Sequence, residues 1–316
     1  MNPCDIDKIK NAKNLIIMSQ HDYCIKDSIE FSFGNVIDFN SIPTDSEIRE
    51  IINFINKKVR ELVIINFDDI YRKILPHIKK SVNIKCIYTH NLAKMTDGNI
   101  RAIFYNILEF YDRDIIAEIG CIDKSTFKVL ENSKYKVKHI LLDVDDNNDN
   151  KYSGGSKTIG ILGNDYDPNH NIYNLLGAVR LVDYSNIKII KHMPATEHFL
   201  QFFDIKEQTV ETIDEVMKNN FINLYVNFTE TMYTCVLKSM DIGIPCLLGN
   251  TDIFDDYSLL KKFLVLNSDD DINEIAQKIS DIQDEKNLKL IQEQYKTFRK
   301  RYIELSSKSI KSFIEK

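Results

Sequence analysis

The hydrophobic residues in the first half of the chain form short continuous runs. Six runs rich in β-branched residues read "NLIIMS", "NVIDF", "LVIINF", "IKCIYTH", "DIIAEIG" and "VKHILLDV". A run of about four to eight apolar residues is typical of a parallel strand that is buried on both faces. Between these runs apolar residues recur at helical spacing, and a capping box at Thr44 and Glu47 marks one helix start. This alternation predicts βαβ units and a parallel sheet.

The pattern stops at a polar segment and then begins again. The segment "DVDDNNDNKYSGGSK" at 143–157 has no apolar periodicity, which is typical of a linker between domains. Further strand candidates follow it, separated by helical segments: "TIGILG", "NIKIIKH", "KEQTV", "LYVNF", "PCLLG" and "FLVLN". The chain after Glu285 has apolar residues at spacings of three or four, which predicts an amphipathic terminal helix.

We therefore predict an α/β protein with two Rossmann-like, doubly wound domains that face each other across a cleft. The predicted domains are residues 1–148 and 157–316. In open α/β sheets, ligands bind beyond the carboxyl ends of the strands. A ligand site is therefore expected at that edge of each sheet.

The composition argues against several classes of protein. The net charge of −6 lacks the basic surplus of a nucleic-acid binder, so no nucleic-acid partner is expected. No apolar run approaches the roughly 20 residues of a membrane-spanning helix, and the N-terminal "MNPCDIDKIKNAK" lacks the apolar core of a secretory signal. The six cysteines form no CxxC pair. These features favour a cytoplasmic protein with reduced thiols.

The stretch "LYVNFTETMYTCVLKSMDIGIPCLLGNT" contains the clearest candidate chemistry. It predicts a strand, an acidic turn, a helix and a second strand. Glu230 ends the first strand, and the helix start at Thr231 and Met232 exposes backbone N–H groups that suit a phosphate. Lys238 follows about 12 Å further along the helix. This spacing matches a sugar, a diphosphate and a ribose held in one extended ligand.

The same stretch resembles the donor-binding signature of retaining glycosyltransferases of the GT-B fold, particularly family 4. That signature is a strand, a Glu, seven residues, a second Glu, Gly-x-Pro and a strand. "DIGIPCLLGNTDIF" is similar to the "ACGTPVI" segment of the family. The resemblance implies that Glu230 lies near the donor sugar. It puts Lys238 where the family has the Glu that binds the ribose, and a lysine there can pair with phosphate instead.

A second segment, "TIGILGNDYDPNHNIYNLLGAVRL", is similar to the family's strand, Gly-Arg pair, loop and Lys. The resemblance implies donor binding at Gly163, with Asn164 at the family's Arg position and His170 at its Lys position. His192, at the end of "NIKIIKH", is a further donor-side candidate.

The first predicted domain has its own candidate residues. His90 ends the strand "IKCIYTH", at an edge that is expected to face the cleft. Related enzymes often have a His or another polar residue in this region, near the acceptor or the donor sugar. His90 is therefore the second catalytic candidate, and Thr89 and Asn91 are acceptor-side candidates.

Two other features leave alternatives open. Asp143 and Asp145 form a D-x-D motif of the kind that holds Mn²⁺ in GT-A enzymes, but it falls at the predicted linker, so no metal is expected. The terminal helix is basic and amphipathic. It could contact an anionic membrane, or it could pack back across the first domain, which we favour.

The resemblance implies a bacterial glycosyltransferase of polysaccharide biosynthesis. It would move a hexose or N-acetylhexosamine from a nucleotide-sugar donor, foremost a UDP-sugar, to a glycan, lipid-linked or protein acceptor. The reaction would retain the anomeric configuration and need no metal or other cofactor. Two alternatives remain: a non-catalytic GT-B subunit that binds a glycan or a glycosylated partner, and a nucleotide-sugar epimerase of the same fold.

Overall fold

The computed structural model describes residues 13–19, 23–39, 41–145, 156–163, 165–182, 186–190, 194–228 and 233–314. The chain divides into two compact units. The first unit is Met1–Val144 together with Ile303–Lys316, and the second unit is Asp145–Tyr302. The predicted second domain was 157–316. The second unit ends earlier, because Ile303–Lys316 is grouped with the first unit.

The first unit is built on a parallel sheet. Its strands are β1 (Asn14–Ser19), β2 (Val36–Phe39), β3 (Glu61–Ile65), β4 (Asn83–Tyr88), β5 (Glu118–Cys121) and β6 (Val137–His139). They lie in the order β2-β1-β3-β4-β5-β6, and every neighbouring pair is parallel. The six predicted strands and their parallel arrangement are confirmed. Their apolar residues are continuous because helices cover both faces of such a sheet.

The helices of the first unit connect these strands. They are α1 (Tyr23–Phe33), α2 (Asp45–Lys58), α3 (Asp69–Ile74), α4 (Gly98–Asp112) and α5 (Lys124–Glu131). The predicted capping box at the start of α2 is confirmed: Glu47 N lies 3.4 Å from Thr44 Oγ1, and Thr44 N lies 2.7 Å from Glu47 Oε2. The backbone N–H of Thr44, aided by its hydroxyl, holds the pKa of Glu47 below its usual value.

The second unit repeats the architecture with a smaller parallel sheet. Its strands are β7 (Ile159–Ile161), β8 (Asn186–Ile190), β9 (Lys206–Val210), β10 (Ile222–Tyr225) and β11 (Cys246–Leu248), in the order β11-β10-β7-β8-β9. Its helices are α6 (Ile172–Leu181), α7 (Pro194–Phe202), α8 (Ile213–Met217), α9 (Tyr233–Asp241), α10 (Ser258–Leu264) and α11 (Ile272–Gln283). The strand order reverses between β7 and β10, so the carboxyl ends of these two strands form the topological switch point.

One predicted strand of the second unit is reduced to a single parallel bridge. In "FLVLN", Phe263 and Leu264 are the last residues of α10, and Val265 makes a single parallel bridge to Leu248. Leu260, Phe263 and Leu264 are all buried, which is the spacing of one helix face. A short apolar run fits either element, and here its first two residues end the helix while Val265 makes one strand-like bridge.

The linker begins later than the predicted segment 143–157. Asp143 and Val144 are buried in the first unit, and Asp143 N donates to Ser32 Oγ at 3.2 Å. The aspartate of the D-x-D motif that begins this segment is therefore packed against α1. Residues 146–155 lie outside the described part of the chain.

A long terminal helix, α12 (Glu285–Ile314), contributes to both units. Its apolar stripe is largely buried, at Ile291, Tyr295, Phe298, Tyr302, Ile310 and Phe313. In the first unit, Ser306 Oγ donates to the Leu141 carbonyl at 2.6 Å, and the buried Lys85 donates to the Phe313 carbonyl. This burial agrees with the packed terminal helix that the sequence favoured. None of the described helices combines the length and apolarity needed to cross a membrane.

Candidate functional site

Polar residues of the first unit meet where β3 and β4 end. Thr89 follows β4 directly, and Asn66 follows β3. Thr89 N donates to Asn66 Oδ1 at 3.0 Å, and Asn66 Nδ2 lies 2.8 Å from Thr89 Oγ1. Only 3 % of Asn66 and 8 % of Thr89 are exposed. The two residues therefore form a closed pair of hydrogen bonds inside the sheet edge.

The backbone of Asn66 has a left-handed conformation with φ of 54°. Asparagine accepts this conformation better than most residues, because its short polar side chain can make local hydrogen bonds. Asn66 N still donates to the Ile87 carbonyl at 2.7 Å. The turn therefore keeps the sheet pairing and directs the amide toward β4.

His90 is held from several sides at this edge. Its Nε2 lies 3.5 Å from Asn66 Nδ2, and its ring packs edge-to-face on Tyr88 at a centroid distance of 5.7 Å. Its carbonyl accepts a hydrogen bond from Thr126 Oγ1 at 3.4 Å. The imidazole is partly buried. The structure thus puts His90 at the carboxyl end of β4 with a constrained ring.

Asn91 has a local structural role. Its Oδ1 accepts the Ala93 N–H at 2.7 Å and begins a 3₁₀ turn, Leu92–Thr96. Its Nδ2 donates to Asp123 Oδ1 and to Ser125 Oγ, both at 3.1 Å. The described contacts of Thr89 and Asn91 are therefore structural, and their acceptor-side role stays a prediction.

Asn66, which hydrogen-bonds Thr89 at this edge, was not among the residues predicted from the sequence. The available signal was a polar residue directly after the continuous apolar strand "LVII". Such a position lies at the carboxyl edge of a parallel sheet, where ligand sites form.

In the second unit, the switch point lies between the ends of β7 and β10. Leu162 N donates to the Leu224 carbonyl, and Phe228 N donates to the Asn169 carbonyl, both at 2.9 Å. The loop after β7 thus returns to the end of β10. Gly163 lies in this loop, two residues beyond β7.

His170 packs directly on Gly163. A Cβ added at Gly163 would lie 3.0 Å from His170 Cβ, so a larger residue there would displace the imidazole. His170 ends the 3₁₀ turn Pro168–His170, and its Nε2 lies 4.0 Å from Asp167 Oδ2. The structure therefore brings together two predicted donor-binding residues, Gly163 and His170.

Two buried polar atoms lie at the connection between β10 and α9. Asn227 follows β10 and is 8 % exposed, and Thr234, the second residue of α9, is 5 % exposed. Asn227 Oδ1 and Thr234 Oγ1 have no hydrogen-bond partner among the described residues. Leaving a buried polar atom unpaired costs about 1–3 kcal/mol. Their occurrence at a switch point favours a polar ligand at this position.

The start of α9 provides a second kind of polar group, the backbone N–H donors of its first turn. The first four N–H groups of a helix lack partners within the helix, and its N-terminal end has a partial positive charge. Tyr233 OH lies 3.3 Å from Thr251 Oγ1 and 3.4 Å from Asp252 Oδ1. These contacts fasten the helix start to the loop after β11.

Lys238 lies on α9 and forms an ion pair with α8. Its Nζ is 3.5 Å from Asp214 Oδ1, with the two side chains 24 % and 57 % exposed. A pair with this exposure contributes about 0–1 kcal/mol to stability. The contact is compatible with a weak structural link, and the predicted role of Lys238 in nucleotide binding stays a prediction.

Asp269 lies beside the end of β11, and the sequence analysis did not identify it. Its Oδ1 accepts the Asn250 N–H at 2.5 Å, and its carbonyl accepts Asn171 Nδ2 at 2.5 Å. A Cβ at Gly249 would lie 2.8 Å from the carboxylate. Burial, and secondarily Asp270 and Glu274, raise the pKa of Asp269 against the lowering effect of the Asn250 N–H. Asp269 therefore joins α6 to β11.

Five predicted site residues lie outside the described part of the chain: Glu230, Thr231, Met232, Asn164 and His192. Their predicted roles are untested by the geometry. Among the described residues, no group of three or more His, Cys, Asp or Glu side chains could hold a metal ion.

No protein-family model and no curated protein sequence matches the chain. Solved structures match it in fold. The pneumococcal O-GlcNAc transferase GtfA, in complex with UDP and GlcNAc, has a TM-score of 0.54 at 12 % identity, over 85 % of this chain and 60 % of that one. A point mutant of S. aureus TarM, in complex with fondaparinux, α-GlcNAc-glycerol and UDP, has a TM-score of 0.59 at 14 % identity, over 84 % of this chain and 57 % of that one. Sucrose-phosphate synthase from Thermosynechococcus elongatus has a TM-score of 0.62 at 10 % identity, over 92 % and 95 %.

This chain has a GT-B fold. The two parallel sheets with helices between their strands agree with that assignment. At these identities the likeness concerns the fold alone, and it does not distinguish family 4 from other GT-B families. The chain spans about three fifths of the length of GtfA and TarM, and nearly all of the sucrose-phosphate synthase.

Proposed function

We propose that this protein is a glycosyltransferase that takes a hexose or N-acetylhexosamine from a nucleotide-sugar donor, foremost a UDP-sugar. The observation that carries the proposal is the pair of buried, unpartnered atoms Asn227 Oδ1 and Thr234 Oγ1 at the switch point of the second unit. The structures of GtfA and TarM, which share the fold, contain UDP, and this supports the choice of donor.

The chemistry of the pair suits such a donor. Asn227 Oδ1 can only accept, so hydroxyl or N–H groups of a ligand suit it. Thr234 Oγ1 can also donate, and it lies in the first turn of α9, where phosphate oxygens are favoured. A nucleotide sugar offers hydroxyl donors on its sugars and acceptors on its phosphates. We assign Thr231 and Met232, at the predicted helix start, to the same phosphate group.

The charges around this site lead us to expect moderate donor affinity. Two of the proposed donor-binding side chains each have a carboxylate nearby: Asp167 lies 4.0 Å from His170, and Asp214 lies 3.5 Å from Lys238. A diphosphate must compete with these carboxylates for the two side chains. The Lys238 pair is partly exposed to solvent, so salt should weaken its contribution to donor binding. Gly163, Asn164 and His192 complete the proposed donor site.

The proposed catalytic residues are Glu230 and His90. Positive charge develops on the sugar ring during glycosyl transfer, and a carboxylate beside it stabilises that charge. The N-terminal end of α9 would stabilise the departing diphosphate, which would allow transfer without a metal. His90, with Thr89 and Asn91, would serve the acceptor side. Retention of configuration, a glycan, lipid-linked or protein acceptor, and a cytoplasmic location are parts of the proposal.

Glu230→Gln and Lys238→Ala test this assignment together. Calorimetry with UDP-, GDP-, CMP- and dTDP-linked sugars first identifies the donor. The steady-state kinetics of both variants are then measured with that donor. Glu230→Gln should lower kcat more than it raises KM, since its charge matters in the transition state. Lys238→Ala should raise the donor KM with little change in kcat, since it contacts the nucleotide in both states.

Other outcomes distinguish the remaining candidates. Full turnover by Glu230→Gln would remove Glu230 from the mechanism. Nucleotide-sugar binding with isomerisation of the sugar and no transfer would indicate an epimerase. Absence of any nucleotide binding would leave the non-catalytic GT-B subunit.

A further inference from the structure

The amide of Asn66 lies between Thr89 and His90, and its partners determine its orientation. The backbone N–H of Thr89 can only donate, and Thr89 N lies 3.0 Å from Asn66 Oδ1. The amide oxygen must face this group, because an amide nitrogen cannot accept. Asn66 Nδ2 therefore faces the other way, at 2.8 Å from Thr89 Oγ1 and 3.5 Å from His90 Nε2.

The orientation of the Asn66 amide also determines the tautomer of the imidazole. The two hydrogens of Asn66 Nδ2 are donors, one toward Thr89 Oγ1 and the other toward His90 Nε2. A neutral imidazole has one protonated and one accepting nitrogen, and Nε2 must be the accepting one here. A proton on Nε2 would point at an amide hydrogen. The neutral ring of His90 therefore carries its proton on Nδ1.

We propose that Asn66 is a positioning residue that sets the orientation and the Nδ1–H tautomer of His90. Its consequence for catalysis rests on the proposed function: His90 would act as a hydrogen-bond donor through Nδ1 and not as a base at that nitrogen. Asn66 is 3 % exposed, so its own contact with a substrate is not required for this role.

The backbone of Asn66 suggests two informative substitutions. Its φ of 54° is tolerated by aspartate and glycine, so Asn66→Asp and Asn66→Gly should both keep the turn. Aspartate has nearly the same shape, but both of its oxygens accept. It should still receive the Thr89 N–H and should attract a proton onto His90 Nε2. Glycine removes the amide and leaves the tautomer to the ring's other contacts.

The experiment measures which nitrogen of the His90 ring carries the proton. Two-bond ¹H–¹⁵N spectra of protein with ¹⁵N-labelled histidine show which ring nitrogen is protonated, and His90→Gln assigns the signal. We expect an unprotonated Nε2 in the wild type and a protonated Nε2 in Asn66→Asp. Asn66→Gly should shift the ring signals of His90, because the donor toward Nε2 is gone. A protonated Nε2 in the wild type, or an unchanged spectrum in both variants, would overturn the proposal.

A matched control and an activity measurement complete the test. Asn219 is an exposed asparagine with φ of 61°, so Asn219→Asp makes the same change at another left-handed position and should leave the His90 spectrum unchanged. With the donor identified, Asn66→Asp should lower kcat by about tenfold or more with a nearly constant donor KM. A wild-type protein without transferase activity would contradict the proposed function, whereas the tautomer result would stand or fall independently of it.

Discussion

Thr234→Val should stabilise the free protein and weaken donor binding. Valine has nearly the volume of threonine, so it fills the same space without the hydroxyl. Thr234 is 5 % exposed, and its Oγ1 has no partner among the described residues. Removing this buried atom should relieve about 1–3 kcal/mol of desolvation cost. Melting temperature should rise by about 2–4 °C for each kcal/mol in a unit of this size.

The same substitution removes a hydrogen bond to the ligand. A hydrogen bond to a charged group contributes about 1.5–3 kcal/mol. If Thr234 Oγ1 binds a phosphate, Kd for the nucleotide diphosphate should rise by about ten- to hundredfold. Urea unfolding followed by circular dichroism measures the stability, and calorimetry with the nucleotide diphosphate measures Kd.

Thr196→Val is the matched control in the same unit. Thr196 is fully buried, and its Oγ1 donates to Asp165 Oδ2 at 2.5 Å. Removing that donor should destabilise the protein by about 1–3 kcal/mol, the opposite sign to Thr234→Val. The reasoning fails if Thr234→Val destabilises the protein as Thr196→Val does, or if it leaves the nucleotide affinity unchanged.

Three further predictions follow from the structure and the sequence. Gly160→Ala should destabilise the second unit by several kcal/mol in urea unfolding, because its Cβ would lie 2.1 Å from Asn223 Oδ1 and 2.3 Å from Asn220 Nδ2; an unchanged midpoint would contradict this. The raised pKa of Asp269 makes the folded state bind more protons than the unfolded state just above pH ~3.9, so its contribution to stability falls as pH rises through that window. Asp269→Asn should remove this slope while its amide oxygen still accepts the Asn250 N–H, and a slope equal to that of the wild type would rule Asp269 out. Transfer should survive dialysis against EDTA, and loss of activity that Mn²⁺ restores would contradict the metal-independent mechanism.

The local pattern of the sequence was sufficient to predict most elements of the fold. Continuous β-branched runs predicted the parallel strands because a strand covered on both faces must be apolar throughout. The capping box predicted the start of α2 because its hydrogen bonds join residues three positions apart. Such features depend on neighbours in sequence, and the structure confirms them.

Only the tertiary structure decided features that depend on distant residues. The apolar face of α12 was visible in the sequence, but its partners Lys85 and Leu141 belong to the first unit. The short run "FLVLN" divides between the end of α10 and a single bridge to β11, because hydrophobicity alone does not distinguish a short strand from a buried helical turn.

The candidate site shows the same division. The sequence predicted His90 from its position at a strand end, but it contained no sign that Asn66 orients the ring. That relation requires two adjacent strands in a fixed register and a left-handed turn between strand and helix. The unpartnered atoms of Asn227 and Thr234 were equally invisible, because burial and hydrogen-bond satisfaction exist only after the chain has packed. A sequence pattern specifies which side chains are available, whereas the fold determines which polar groups meet and which are left for a ligand.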